Sequence, residues 1–304
     1  MADLSFYKQN LNASTVDEIC KALSDTLIET NYTYDFFVNW SKVANNRDAF
    51  KYEIALLKSL KNSSEPVTDF RNLLAKYPEV IKVIPILLAC RDGLLKVLKS
   101  IETGLQYETF NFSQISYDTK EINNIVDFTK NTGLLNMLCQ MDSAPDYLLG
   151  VEVGLDTNAR KNRSGLFLER IVTETLRELS ARNPGLVFVE QKSFGYVADK
   201  YNVQIPPTLK DRKFDYAVIN KGKATTIEVN FYGGTGSKPS EIVSSYIDRN
   251  RVLISAGWKF VWLTDGMGWR KMKNPLRVGV ENMDYVINTN FLRKGLLEKI
   301  VLSP

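Results

Sequence analysis

The sequence has no histidine. Its absence removes Ser-His-Asp and Cys-His nucleophilic sites, histidine general bases and the usual Cys/His zinc centres. Any hydrolysis must therefore rest on carboxylates, lysine and a bound metal. Cysteine is scarce: Cys20, Cys90 and Cys139 are odd in number and far apart. They suggest neither a disulfide framework nor metal spacing, and the expected compartment is a reducing cytoplasm. Long apolar runs are missing too. The longest, Val83 to Cys90, is interrupted by Pro85 and is too short to span a bilayer, so no membrane association is expected. The first residues, Met-Ala-Asp-Leu-Ser-Phe-Tyr-Lys, do not read as a signal peptide. No internal repeat or low-complexity tract is evident.

What is present is a 304-residue chain with 24% charged and 44% hydrophobic residues, an ordinary globular balance. Its net charge of +4 is unevenly spread. Residues 1–150 hold 15 Lys+Arg against 19 Asp+Glu, hence −4, and residues 151–304 hold 24 against 16, hence +8. A basic half suggests a polyanionic partner.

The stretch Lys213 to Lys238 carries the chemistry. Two runs of branched and aromatic residues flank Lys221-Gly222, which reads as a β-hairpin. With a two-residue loop, Asp215 faces Glu228 and Lys213 faces Asn230. Strand alternation puts these four on one face and Phe214, Tyr216, Val218, Ile227, Val229 and Phe231 on the other. Two opposed acids repel, and a hard divalent cation such as Mg²⁺ would offset that. The bland alternative is an exposed face with surface acids.

Elsewhere the spacing predicts helices over 16–30, 49–61, 67–77, 81–101, 120–130 and 133–141, with a polar connection over 104–118. Residues 147–153 are expected to be extended and 156–165 to be a basic loop. A helix over 166–182 then carries Leu168, Val172, Leu176 and Leu179. Glu169 begins that apolar face, so it either favours the helix dipole or points into the site. Strands are expected over 186–194 and 258–264, an excursion over 197–209, a helix over 239–255 and a mostly helical end over 280–299. The Gly233–Ser237 loop precedes a helix, where backbone amides can hold a phosphate; it is either such a contact or a flexible turn. Trp269, Arg270, Lys271, Lys273 and Arg277 form a basic loop with an aromatic, either a nucleic-acid surface or a solvated loop. The expected fold is α/β (α+β), a mixed central sheet flanked by helices with a mostly helical N-terminal half.

Asp215, twelve residues, then Glu228-Val229-Asn230 resembles the active-site pattern of the PD-(D/E)XK nuclease superfamily, with Phe214 in place of its usual proline and Asn230 in place of its usual lysine. The blocks Asp156–Gly165 with Glu169, Phe214-Asp215, Glu228–Tyr232, Gly-Gly-Thr-Gly-Ser-Lys, and Leu263–Trp269 followed by Asn274-Pro275-Leu276 resemble DpnII/MboI-type restriction endonucleases. The resemblance implies a central sheet of restriction-endonuclease type. The helical spacing of residues 1–145 makes them a scaffold region, with dimerisation or DNA contact as options, and the matching blocks place the catalytic region at 146–304. The resemblance also implies a Mg²⁺-dependent type II enzyme that cuts double-stranded DNA at unmethylated GATC and leaves 5′ overhangs. A homodimer and a protecting adenine methyltransferase are implied as well. By the same resemblance, Asp215, Glu228 and the Val229 carbonyl hold Mg²⁺, Glu169 completes the shell, and Asn230 orients water. Lys213 or Lys192 is then the cation that replaces the motif lysine. Lys161, Arg163, Ser237, Lys238, Trp269, Arg270, Lys271 and Lys273 are the candidate DNA contacts. A repair or junction nuclease and a catalytically dead DNA-binding relative are the alternative functions.

Overall fold

Branched and aromatic residues crowd the stretches that become strands, because they pack well on a pleated, half-buried surface. The computed structural model describes residues 3–100, 105–234 and 238–303. Among them lie β1 (Leu94–Ser100), β2 (Gln106–Asn111), β3 (Leu186–Glu190), β4 (Tyr216–Asn220), β5 (Lys223–Phe231), β6 (Lys259–Asp265) and β7 (Tyr285–Ile287). Strands β3 to β7 form one sheet in that order. The β3/β4 and β4/β5 pairs are antiparallel, and β5/β6 and β6/β7 are parallel. The expected α+β fold with a mixed sheet is therefore what the chain adopts. The helices Arg160–Arg182, Lys238–Ser255 and Lys273–Asn282 accompany this sheet in sequence.

The chain divides into two compact units, 1–32 with 162–304, and 33–161. This differs from the division at 145/146. In the sheet unit, the Leu4–Leu11 and Val16–Asp25 helices bury Tyr7, Ile19 and Leu23 in the same core as the strands. The Tyr7 hydroxyl donates to the Val286 carbonyl (2.9 Å) and accepts from the Val286 N–H (2.7 Å). It thereby satisfies backbone groups of β7, an edge strand that would otherwise leave them open. Buried Asp265 accepts from the backbone N–H groups of Ile28, Gly266 and Thr289 (2.8, 2.8 and 2.9 Å), fixing the end of β6.

Residues 33–161 have their own core, which includes Leu57, Phe70, Val80, Phe112, Val126 and Leu135. This unit departs most from the sequence reading. Residues 81–101 do not form one helix. Pro78–Val83 is a 3-10 turn, Ile84–Leu87 one short helix, and Leu94–Ser100 is β1, paired with β2 inside the expected 104–118 connection. Apolar density suggested a helix, but Ala89 turns left-handed (φ 58°) and ends it. Residues 147–153 are helical, within Ala144–Asp156. Ser143 caps that helix by accepting from the Asp146 N–H, and Pro145 sits in its first turn. Ser143 and Pro145 thus start a helix where an extended segment was expected. The 156–165 stretch is not a loop either: it runs through the Thr157–Ala159 3-10 turn into the Arg160–Arg182 helix. Its Arg, Lys and Asn residues are polar but tolerated in helices. In the sheet unit, β3 ends at Glu190, a helix over Phe194–Tyr201 begins at the last residue of the expected strand and runs into the expected excursion, and β7 interrupts the 280–299 stretch.

Candidate active site

The site begins at the β4–β5 turn. Lys221 and Gly222 both have positive φ (49° and 79°), as a two-residue hairpin turn of matching twist requires. The register runs as inferred, from Asn220 opposite Lys223 to Tyr216 opposite Ile227. There it stops. The carbonyl of Asp215 accepts from the Gln191 N–H (3.0 Å), the Phe214 N–H donates to the Lys192 carbonyl (3.1 Å), and Lys213 is bridged to Ser193. Lys213 is therefore bridged to the extension of β3, and the paired register with β5 ends before it would reach Asn230. The Asp215 carboxylate stays with β5. Its Oδ2 accepts from the Val229 N–H (2.8 Å), and its Oδ1 accepts from Gln191 Nε2 (3.3 Å). Burial raises the Asp215 pKa, while the Val229 N–H, Gln191 and nearby Arg249 pull it back.

The Glu228 face is not the exposed surface of the bland reading. Glu228 is only 6% exposed. Arg249, from the Lys238–Ser255 helix, meets it in a buried ion pair through Nη1 and Oε1. Tyr246, one turn earlier, brings its hydroxyl into the neighbourhood of both Glu228 and Asn230. The Arg249 guanidinium stacks on the Tyr246 ring at 5.1 Å, and that ring meets Trp262 edge-on at 6.1 Å. Trp262 Nε1 donates to Asn230 Oδ1 (3.1 Å). Glu228 has its pKa pushed up to about 7, chiefly by burial; Arg249 opposes that rise and Asp215 adds to it. Sequence reasoning missed Tyr246 and Arg249. The signal was there: Tyr246, Arg249, Asn250 and Leu253 recur at helical spacing, so an arginine lies on the inward stripe.

Glu169 reaches the site from the Arg160–Arg182 helix. Tyr216 anchors that helix to β4 by donating to the Glu169 carbonyl (2.8 Å). The Thr173 hydroxyl lies 2.9 Å from the Tyr216 hydroxyl and donates to Glu190 Oε1 (2.7 Å). The Glu169 pKa is raised by burial first, then by Asp215 and Glu190, so its carboxylate lies within electrostatic reach of both. That geometry favours the inward alternative over a purely dipolar role. Glu169, Thr173, Glu190, Gln191 and Tyr216 line a cavity of about 280 Å³. Asp215, Glu228 and Glu169 offer carboxylate oxygens, the donors a hard divalent ion takes. Among the described residues, no three acids, cysteines or histidines are drawn together as a ready metal cluster.

The remaining candidates scatter. Lys192 is exposed, with Nζ over the Tyr196 ring at 5.8 Å. Trp269 is fully buried and donates to Thr264 Oγ1 (2.8 Å), so it is a core residue and not a base-stacking surface. Arg270, Lys271 and Lys273 are exposed, and Arg163 is half-buried in the first turns of its helix. Ser237 lies outside the described residues, as do the side chains of Lys161 and Lys238. The glycines around Trp269 have a structural reason. The Gly268 N–H donates to the Tyr232 carbonyl (2.8 Å), and a Cβ there would come within 2.5 Å of the Gly234 carbonyl oxygen. The turn after β6 is thereby pinned against the segment after β5.

The family model for the DpnII restriction endonuclease matches residues 20–299. The chain belongs to the DpnII restriction endonuclease family. The type II restriction enzyme MjaIII of Methanocaldococcus jannaschii is 37% identical over 91% of this chain and 97% of its own length. DpnII of Streptococcus pneumoniae is 31% identical over 93% of this chain and 97% of its length. MboI of Moraxella bovis is 30% identical over 91% of this chain and 94% of its length. Membership supports a site-specific endonuclease of restriction type. Among the described residues, no helix is long and apolar enough to cross a membrane.

Proposed function

We propose that this protein is a type II restriction endonuclease that hydrolyses double-stranded DNA at unmethylated GATC, leaving 5′-phosphate ends with four-nucleotide overhangs. The observation that carries the chemistry is the convergence of Asp215 and Glu228 across β4 and β5, with Glu169 within electrostatic reach from the helix. The family relation and the names of its relatives support the restriction assignment. The donor set fits a hard cation: Asp215, Glu228 and the Val229 carbonyl would hold Mg²⁺, with Glu169 adding a carboxylate. When bound, such an ion polarises the scissile phosphate and makes a bound water more acidic.

The chain's own residues do the positioning. Two donors, the Val229 N–H and the Gln191 amide, hold the Asp215 carboxylate at the end of β4. The Asn230 amide accepts from Trp262, which fixes its orientation. An amide is not a base at neutral pH, so Asn230 serves to orient water. In-line attack by that water breaks the P–O3′ bond and leaves a 5′-phosphate and a 3′-hydroxyl. The exposed Arg270, Lys271 and Lys273, with Lys161, Arg163, Ser237 and Lys238, are the proposed contacts to the DNA. The unit formed by 33–161 is a scaffold that either adds DNA contacts or joins two copies of this chain on a palindromic site. Its setting is the cytoplasm, beside an adenine methyltransferase that protects the host sites.

The test is digestion of one plasmid in its adenine-methylated and unmethylated forms, with Mg²⁺ and with EDTA. Discrete GATC fragments from the unmethylated DNA, in Mg²⁺ alone, are expected. Intact unmethylated DNA under permissive salt overturns the reading, and nicking set by DNA structure would replace it with a repair or junction nuclease.

A further inference from the structure

Arg249 is buried as deeply as the acid it meets: its side chain is 5% exposed and that of Glu228 8%. Desolvating a guanidinium is costly, and a well-packed apolar pair of similar volume often serves stability as well or better. The cost falls beside a second acid, Asp215, which opposes the ionisation of Glu228. Nη1 is committed to Glu228, while Nε is buried without a hydrogen-bond partner. The guanidinium thus keeps a donor in reserve inside the site. The face of Tyr246 stacks under it, and the Tyr246 ring meets Trp262, the residue that donates to Asn230. Asn230 is the position at which the motif otherwise carries its lysine. Lys213 and Lys192 are exposed, with the first bridged to Ser193 and the second over Tyr196.

We propose that Arg249 is the positioning cation of this cleavage centre, delivered from the Lys238–Ser255 helix to the corner that Asn230 leaves uncharged. The proposal rests on the nuclease reading above. In the metal-free enzyme the guanidinium offsets the charge of the Asp215/Glu228 pair and fixes the rotamer of Glu228. It also places one positive charge where negative charge grows on the phosphate. A guanidinium offers donors and no acceptor, so it takes no proton from water.

Two consequences have opposite signs. Removing the cation leaves the two acids unopposed, so a divalent ion should bind at least as tightly. The same change should slow cleavage, because the charge that supports the reacting phosphate is gone. A purely structural ion pair would lower both together.

The experiment uses the full chain with Arg249→Met, Arg249→Gln and Arg249→Lys. Exposed Arg251, on the same helix, gives the control Arg251→Met. Ca²⁺ binding is read from tryptophan fluorescence without DNA, and single-turnover cleavage is read at saturating Mg²⁺. Arg249→Met is expected to cut about 10²–10³-fold more slowly, the usual loss for one preorganised electrostatic donor. Its Ca²⁺ affinity should be unchanged or higher, and Arg249→Lys should recover part of the rate. If Arg249→Met fails to fold, Arg249→Gln carries the same expectation. Cleavage by a folded neutral variant within about threefold of wild type, outside the loss expected for such a donor, overturns the proposal. So does a parallel loss of Ca²⁺ binding and rate that Arg249→Lys does not relieve. Should the wild type leave GATC DNA intact, it is the nuclease reading that fails.

Discussion

Each compact unit buries a glutamate against an arginine, and the two pairs are not alike. In the unit formed by 33–161, Glu152 accepts from Arg91 Nη2 (2.5 Å) and from Asn46 Nδ2 (2.7 Å). The Arg91 side chain is 46% exposed, so its charge remains hydrated. In the sheet unit, both Glu228 and Arg249 are removed from water, and a second acid, Asp215, stands beside them. A fold tolerates the first arrangement at small cost. The second stores unfavourable electrostatics in one spot, which is what a centre built to take up an extra cation requires. The comparison teaches that burial of the cation, rather than the presence of an ion pair, separates a strut from a site.

The sharpest way to break that contrast is to neutralise one acid in each unit. Asp215→Asn or Glu228→Gln should lower single-turnover cleavage by about 10³-fold or more, since a divalent ion's charge stabilisation is worth several kcal/mol. Binding to GATC DNA, followed by fluorescence anisotropy in EDTA, should persist in both. Glu152→Gln should leave the cleavage rate within about threefold, as substitutions away from the chemistry do. A large loss from Glu152→Gln with an unchanged melting temperature would erase the distinction. A second substitution measures the strut itself. Arg91→Met should cost about 1–3 kcal/mol in urea denaturation, the penalty for a buried acid left short of a donor.

The sequence made the hairpin legible because its signals are local. A Lys-Gly turn fixes the pairing from Asn220 opposite Lys223 to Tyr216 opposite Ile227, and Asp215 and Glu228 each lie one residue beyond its last pair. Glu169 could be placed on the inward helix face but not beside Asp215, because that depends on the Tyr216 hydroxyl reaching from β4 to the Glu169 carbonyl and to Thr173 on the same helix. Arg249 was harder still. An arginine on an apolar stripe is visible at helical spacing, but its partner lies 21 residues away on a strand. The unit formed by 33–161 was the least legible. Its β1–β2 hairpin has apolar runs without clean alternation, and the Ser143 cap with Pro145 looks like a break until the helix behind it is seen. Trp269 was misplaced for a related reason: basic neighbours are visible in the sequence, but the packing of the Gly268 turn against Tyr232 and Gly234 is not.

The acidity of Glu228 offers a smaller effect with a definite sign. Its folded-state pKa lies above the ordinary glutamate value of 4.5, at about 7. The folded, metal-free protein therefore holds a proton that the unfolded chain releases between pH 4.5 and about 7. Stability from this group is greatest at low pH and declines as pH rises through that window. Metal uptake runs the other way, because only the carboxylate is a ligand. Apparent Ca²⁺ affinity should fall about tenfold per pH unit below the Glu228 pKa, one proton being displaced per ion. Calorimetric titration between pH 5.5 and 8.5 checks this, and Glu228→Gln should abolish the slope. A flat profile in the wild type would mean that Glu228 is ionised in the metal-free site, which weakens its contrast with the hydrated pair.

The smallest expected effect concerns the exposed lysine beside the same hairpin. Lys213 was the cation expected from simple alternation, opposite Asn230. The β4/β5 register instead ends before that point, and Lys213 bridges Ser193. Its side chain is exposed. Water screens a charge in that position, so its contribution at a buried carboxylate is small. Lys213→Ala should change cleavage by no more than about threefold and stability by no more than about 0.5 kcal/mol, as surface substitutions usually do. The measurement is single-turnover cleavage at low and at high salt, with Lys192→Ala in parallel. A hundredfold loss in Lys213→Ala at an unchanged melting temperature would move the working charge from the helix to the strand. The sheet unit's buried pair would then be a strut like that of Glu152 and Arg91, differing only in how dry it is.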